Sequence, residues 1–155
     1  MAFLEKDDKG VGGCPFCTTR EAARELPGLI VRAGLHAYVI LNLFPYNNGH
    51  LLVLPFRHVA DITDLTADEA NELMALLIES RAVLGEVLKT EAFNVGMNLG
   101  SAAGAGIPGH LHFHLVPRWA GDTNFMTVTS DTKVLPETLD QTKLRLAEAW
   151  RRHSP

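Results

Sequence analysis

The stretch Gly109-His110-Leu111-His112-Phe113-His114-Leu115-Val116-Pro117 decides the fold, because histidines and apolar residues alternate along it. Successive side chains of a β-strand point to opposite faces, so His110, His112 and His114 are predicted to line one face over about 13 Å. The apolar residues that alternate with them would pack into a hydrophobic core. A solvent-facing strand face more commonly carries Thr, Lys or Glu, yet three of the chain's seven histidines fall here. We therefore predict that this strand carries an active site.

The size and composition of the chain are those of one globular domain. Its 155 residues suffice for a sizeable core, and an apolar content of 46% is ordinary for a globular protein. The first residues are charged and end in Gly12-Gly13. We therefore predict a flexible N-terminal arm over residues 1–13 and a single domain over residues 14–155.

Charge and hydropathy argue against two classes of partner. The net charge of −4 gives no sign of a broad surface for a nucleic acid polymer, so backbone amides and histidines would have to bind any phosphate group locally. No stretch approaches the roughly 18 uninterrupted apolar residues of a membrane span. The first ten residues, MAFLEKDDKG, lack the apolar segment of a signal peptide. We expect a cytoplasmic protein without a membrane partner, with its two cysteines reduced unless they bind metal.

Short apolar segments separated by turn residues predict several strands. Residues 29–41 are predicted to form two strands around a turn at Ala33-Gly34, and residues 51–54 a third. Residues 93–98 are predicted to form a strand before the small-residue loop 100–109, which leads into the histidine strand.

Two helices are predicted between and after these strands. Thr66-Ala67-Asp68-Glu69 is a capping box, and apolar residues recur behind it at helical spacing to about Lys89. A last helix is predicted to start near Pro136, with Leu139, Leu146 and Trp150 on its inner face. The order of elements predicts an α+β domain, in which one long helix and a C-terminal helix accompany an antiparallel sheet of about five strands.

The pattern His-φ-His-φ-His-φ-φ, where φ is apolar, spans residues 110–116 and resembles the signature of the histidine triad (HIT) superfamily of nucleotide hydrolases and transferases. Residues 47–55, together with Asn42 upstream, resemble the first sequence block of that family. Residues 94–100 resemble the strand that precedes its phosphate loop. The resemblance implies a HIT-like fold.

The segment Val116-Pro117-Arg118-Trp119, continued by residues 121–126, resembles the bacterial branch of the family related to diadenosine tetraphosphate phosphorylases and hydrolases. The resemblance extends over about residues 14–150. It implies an enzyme that cleaves dinucleoside polyphosphates at an α-phosphate. Water as acceptor would make the enzyme a hydrolase, and inorganic phosphate would make it a phosphorylase. The motif at residues 118–126 favours the phosphorylase.

The resemblance also implies catalytic roles for the three histidines. The middle histidine of the family is the nucleophile, which corresponds to His112 and would form a covalent nucleotidyl intermediate. His114 would assist the leaving group as a general acid or hydrogen-bond donor. His110 would support the other two rather than act as a second nucleophile.

Further residues are expected to bind the nucleotide. Asn42 resembles the ribose-binding position of the family, and His50 resembles a residue that lines the phosphate site. Asn98 and Ser101 are placed to donate toward phosphate or the scissile oxygen. Asn98 lies about one residue farther from the triad than the family spacing, so the choice among Asn94, Asn98 and Ser101 stays open.

The glycine-rich loop before the histidine strand satisfies G-x-G-x-x-G at residues 104–109. A dinucleotide-binding fold would have this motif follow a strand and open a helix, whereas here it leads into a strand and contains Pro108. We therefore interpret it as a phosphate loop whose backbone amides, around Gly106, approach phosphate oxygens. A surface loop without that role is the alternative.

Cys14-Pro15-Phe16-Cys17 has the spacing of two metal ligands, and its competitors are a reduced dithiol and a redox pair. In the hexose-1-phosphate uridylyltransferase branch of the superfamily, a corresponding Cys, Cys, His, His set holds structural zinc. That resemblance implies a zinc site formed by Cys14, Cys17, His58 and His110. The same branch carries Gln at the position of His114, which argues against uridylyl transfer.

Other functions remain open from the sequence. A nucleoside phosphoramidate hydrolase would use the same site. A nucleotide-binding sensor would turn over substrate only incidentally. A structural module stabilised by zinc would bind no adenine nucleotide. The resemblance implies a homodimer, with a nucleotide or dinucleoside polyphosphate as the small-molecule partner.

Overall fold

The computed structural model describes residues 13–122 and 136–153. The predicted N-terminal arm, apart from Gly13, and residues 123–126 of the phosphorylase-like motif lie outside these ranges. Among the residues that the structure describes, no helix combines the length and apolar character needed to cross a membrane.

One antiparallel sheet of five strands forms the centre of the described structure, in the spatial order β1-β2-β3-β5-β4. The strands are β1 (Ile30–Ala33), β2 (Ala37–Leu41), β3 (Leu51–Pro55), β4 (Ala92–Gly96) and β5 (Phe113–Arg118). The sheet confirms the predicted fold class and strand number. Strand β4 ends at Gly96, so Asn98 follows the strand rather than ending it.

Within residues 13–122 and 136–153, three α-helices accompany the sheet: α1 (Arg20–Arg24), α2 (Ala67–Leu88) and α3 (Leu139–His153). Helix α2 begins as predicted, because the Thr66 hydroxyl accepts from the Glu69 amide while the Glu69 carboxylate accepts from the Thr66 amide. Helix α3 starts three residues later than predicted. Thr138 and Gln141 form the reciprocal capping pair there, so the helix begins after Thr138 and not at Pro136.

Apolar residues cover both faces of the sheet. Leu51 and Val53 of β3 belong to the core under α2 and α3, whereas Leu52 and Leu54 belong to a second apolar cluster on the opposite face. This alternation follows from the two-residue period of a strand. It explains why every residue of β3 is buried and why the strand lacks a polar face.

The prediction that His110, His112 and His114 all lie on one strand is wrong. Strand β5 begins only at Phe113, so His110 and His112 precede it. Phe113 pairs with Val53 of β3, so continued pairing would place Leu111 opposite Pro55, which has no backbone N–H to donate. The Leu111 amide donates instead to the carbonyl of Val59, at 2.6 Å. Residues 110–112 therefore lie outside the sheet, next to the start of β5.

Candidate active site

His112 is held in the tautomer that a nitrogen nucleophile needs. Its Nδ1 lies 2.7 Å from the backbone carbonyl of His110, and a carbonyl can only accept, so Nδ1 carries the proton. The Nε2 atom therefore keeps its lone pair. The ring is 6% exposed, so little water competes for that lone pair.

A chain of hydrogen bonds fixes the tautomer of His114 as well. The Tyr46 amide and the Asn42 side-chain amide both donate to His50 Nδ1, at 3.0 and 3.2 Å, so that atom is an acceptor. His50 Nε2 then donates to His114 Nδ1 at 2.9 Å. His114 must carry its own proton on Nε2. The outer nitrogen of His114 is therefore a hydrogen-bond donor, complementary to the acceptor nitrogen of His112.

Burial keeps this chain neutral. Burial, reinforced by His114 and His112, lowers the pKa of His50 to about 3. Burial and the neighbouring His112 lower the pKa of His114 to about 4. The rings of His112 and His114 have centroids 4.9 Å apart, so a second positive charge would be repelled there. At neutral pH, His114 thus donates a hydrogen bond from an uncharged imidazole.

A cavity of about 460 Å³, which we call the Phe16 cavity, is lined by Phe16, Leu41, Asn42 and Leu43 among other residues. The Phe16 ring contacts the His112 ring edge-on, with centroids 5.2 Å apart. The volume lies within the ordinary range for a small-molecule site.

A second cavity, of about 650 Å³, lies beside His114, and we call it the Arg118 cavity. It shares no lining residue with the Phe16 cavity. Asn94, Asn98 and Arg118 line it with His114. The structure therefore places Asn98 on the His114 side of the site.

The remaining predicted binding residues lie in different settings. His50 is fully buried and contacts His114 through a hydrogen bond. It therefore orients His114 and offers no exposed surface to a phosphate group. The Asn42 side chain faces the Phe16 cavity, but its oxygen also accepts from the Phe44 amide, at 3.1 Å. Ser101 begins a short 3-10 helix and Gly106 lies in the following loop, both exposed. Their phosphate-binding roles stay predictions.

Cys14, Cys17, His58 and His110 come together as predicted, with one potential ligand atom from each lying within 4.8 Å of the others. His110 Nδ1 lies 3.5 Å from Cys14 Sγ, and His58 Nδ1 lies 3.3 Å from Cys17 Sγ. His110 Nε2 donates to the Pro55 carbonyl at 2.9 Å, which leaves Nδ1 free to bind a metal. Burial and the neighbouring Cys14 raise the pKa of the Cys17 thiol. Two thiols and two imidazoles in this arrangement fit a tetrahedral metal site.

The segment before His50 contains functional contacts that sequence reasoning missed. The Asn47 side chain donates to the Pro117 carbonyl at 3.1 Å and to Asp122 at 2.8 Å, and Asp122 also forms an ion pair with Arg118. These contacts hold the loop that supplies the Tyr46 amide to His50. The sequence around Asn47 gave no indication of these partners, which lie 70 and 75 residues away.

The model of the HIT domain family matches residues 23–121 of the chain. Over 138 residues, the chain is 47% identical to a Mycobacterium tuberculosis (strain H37Rv) protein named AP-4-A phosphorylase, which covers 89% of this chain and 70% of that protein. The chain therefore belongs to the histidine triad (HIT) family.

Solved structures share the fold. A histidine triad nucleotide-binding protein from Sulfolobus tokodaii superimposes with a TM-score of 0.71 at 26% identity, covering 90% of this chain and 93% of that one. A Zn-bound histidine triad family protein from Mycobacterium smegmatis gives a TM-score of 0.68 at 22% identity, covering 88% and 94%. The second likeness concerns the fold alone.

Proposed function

We propose that the protein is an enzyme that cleaves dinucleoside polyphosphates, such as diadenosine tetraphosphate, at an α-phosphate. The observation that carries the proposal is the opposite polarity of two adjacent imidazoles: His112 presents a lone pair and His114 presents an N–H. The 47% identical relative named AP-4-A phosphorylase supports the substrate class.

In the first step, the His112 Nε2 lone pair attacks the α-phosphorus and forms an N–P bond. The bond from phosphorus to the bridging oxygen breaks, and its electron pair leaves with the polyphosphate. His114 Nε2–H donates a hydrogen bond to that departing oxygen. The Phe16 cavity holds the base of the nucleotide that stays on His112, and Asn42 contacts its ribose.

In the second step, an acceptor oxygen attacks the same phosphorus and the N–P bond breaks, which returns the lone pair to His112. Inorganic phosphate as acceptor releases ADP from an adenylylated His112, and water releases AMP. The phosphorylase-like motif at residues 118–126 and the name of the mycobacterial relative favour phosphate. We therefore propose a phosphorylase. His110 takes part by holding the His112 proton on its carbonyl.

The Cys14, Cys17, His58 and His110 cluster is proposed to bind structural zinc. Its support is the donor set, which offers two thiols and two imidazoles, with the His110 Nε2 proton directed away onto Pro55. Zinc bound there would anchor the N-terminal segment to the start of the histidine segment. His110 would then have two roles: its ring would bind the metal, and its backbone carbonyl orients His112.

We further propose a homodimer in the cytoplasm. The dimer rests on the family resemblance. The cytoplasmic location rests on the two free cysteines, Cys14 and Cys17, since a thiol pair that binds metal needs a reducing compartment. Light scattering tests the dimer, and a monomer at micromolar concentration would contradict it.

Chromatography of the products from diadenosine tetraphosphate, with and without inorganic phosphate, tests the proposed activity. The expected result is ADP plus ATP only when phosphate is present, and no products from His112→Ala. AMP plus ATP without phosphate would identify a hydrolase instead. Failure of wild type to turn over the dinucleotide under both conditions would refute the proposal and favour a phosphoramidate hydrolase or a nucleotide sensor.

A further inference from the structure

The Arg118 cavity borders the reacting groups through His114, and the function described so far assigns it no part of the substrate beyond the phosphates expected near Asn94 and Asn98. The Phe16 ring lines one cavity and contacts His112, while His114 lines the other and contacts His112. The Phe16 and His114 rings therefore link the His112 ring to both cavities. A substrate that extends from one cavity to the other would lie close to the nucleophile.

Tyr46 gives the Arg118 cavity an aromatic wall. Its ring lies nearly parallel to the His114 ring, at 15° and a centroid distance of 5.8 Å, and its centroid is 4.7 Å from that of His50. Even so, the residue is 61% exposed. Its amide is fixed on His50 Nδ1, and the adjacent Asn47 is anchored on Pro117. A large aromatic ring held in place yet exposed is suited to stacking against a flat ligand.

The charge of the cavity fits an uncharged ring better than phosphate. Among the residues that the structure describes, Arg118 is the only cationic residue in its lining, and no carboxylate lines it. Asp122 binds that guanidinium through both carboxylate oxygens, at 2.6 and 2.8 Å, which neutralises its charge. Arg118 also donates to the Asn94 side-chain oxygen at 2.7 Å, so the amide nitrogen of Asn94 remains a donor. Side-chain amides of Asn recognise purine edges by hydrogen bonding.

We propose that the Arg118 cavity binds the leaving nucleoside of a dinucleoside polyphosphate, with the base stacked on Tyr46. This inference rests on the proposed function. The polyphosphate then crosses His112 and His114 while each cavity holds one base. The volume of about 650 Å³ is ample for a nucleoside. Binding in the Arg118 cavity would favour a dinucleotide over a substrate whose polyphosphate chain ends in a phosphate without a second nucleoside.

The test compares two substrates that share the nucleotide retained on His112. Diadenosine tetraphosphate carries a second nucleoside, and adenosine 5′-tetraphosphate lacks it. The readout is the ratio of kcat/KM for the first substrate to kcat/KM for the second. A loss that Tyr46 variants cause through contact with His114 affects both substrates and cancels in the ratio.

Tyr46→Ala is expected to lower this ratio about tenfold, the size of a lost base–aromatic stack, and Tyr46→Phe is expected to retain it. Phe44→Ala is the matched control, because Phe44 is also an exposed aromatic residue, at 58%, but lines the Phe16 cavity. It should reduce kcat/KM for both substrates alike.

Two outcomes would overturn the inference, and they are distinguishable. If wild type cleaves both substrates but Tyr46→Ala leaves the ratio unchanged, the cavity does not bind the leaving nucleoside. That result is also expected if a second copy of the chain covers the cavity. If wild type cleaves neither substrate, the proposed function fails and the inference fails with it.

Discussion

Acidification should destabilise the protein through the hydrogen-bonded pair of the buried His50 and the half-buried His114. Their pKa values in the folded protein are about 3 and about 4, whereas a histidine in an unfolded chain has a pKa of about 6.5. Above pH 6.5 both histidines are neutral in the folded and in the unfolded protein, so their lowered pKa values do not change the free energy of unfolding. As the pH falls from 6.5 toward 4, the unfolded chain binds protons that the folded protein does not, so stability is lost.

The size of the loss follows from the pKa difference. At pH 5 both side chains are still neutral in the folded protein. In the unfolded chain both are protonated, because pH 5 lies about 1.5 units below their pKa of about 6.5. At about 1.4 kcal/mol per unit, each histidine costs about 2 kcal/mol of unfolding free energy, and the pair costs about 4 kcal/mol.

His50→Gln isolates one half of this effect. The glutamine amide can accept from Tyr46 and donate to His114 but does not titrate. Urea unfolding at pH 7 and pH 5 should show that the variant loses about 2 kcal/mol less than wild type. Protons also compete for the metal ligands, but they do so in both proteins, so the difference is unaffected. The exposed His36→Gln serves as control. Equal losses in wild type and His50→Gln would refute the account of this pair.

Two further predictions concern the metal cluster and the long helix. If zinc is bound at a hundred times its Kd, a chelator should lower the free energy of unfolding by about 2.7 kcal/mol in wild type but not in Cys17→Ser; urea unfolding that is unaffected by chelator in wild type would exclude resident zinc. Thr66→Ala removes the hydroxyl that caps α2 and should cost about 1 kcal/mol in the same assay, with no change in its m-value; a loss below about 0.3 kcal/mol would show that the cap is dispensable.

Local sequence patterns were sufficient for much of the fold. Alternation around His112, the capping pair at Thr66 and the spacing of Cys14 and Cys17 each reflect interactions among residues close in sequence. The long helix and the five-stranded sheet were accordingly predicted correctly. His58 and His110 join the two cysteines as the family resemblance implied.

The remainder depends on partners distant in sequence. The start of β5 is set by Pro55, which would have to pair with Leu111, and no pattern within the histidine segment reveals that register. The role of His50 was also hidden in the sequence, because its hydrogen bond to His114 joins residues that are 64 positions apart. Helix α1 was missed because five residues carry too little periodicity to identify.

The most direct test of the account is to trap the nucleotidyl enzyme. Wild type mixed with diadenosine tetraphosphate without phosphate, then quenched in alkali after a single turnover, should carry one AMP per chain. Peptide mass spectrometry should map that adduct to His112, and addition of phosphate before the quench should discharge it as ADP. An enzyme that turns over the dinucleotide with no adduct, or with the adduct on another residue, would contradict nucleophilic catalysis by His112.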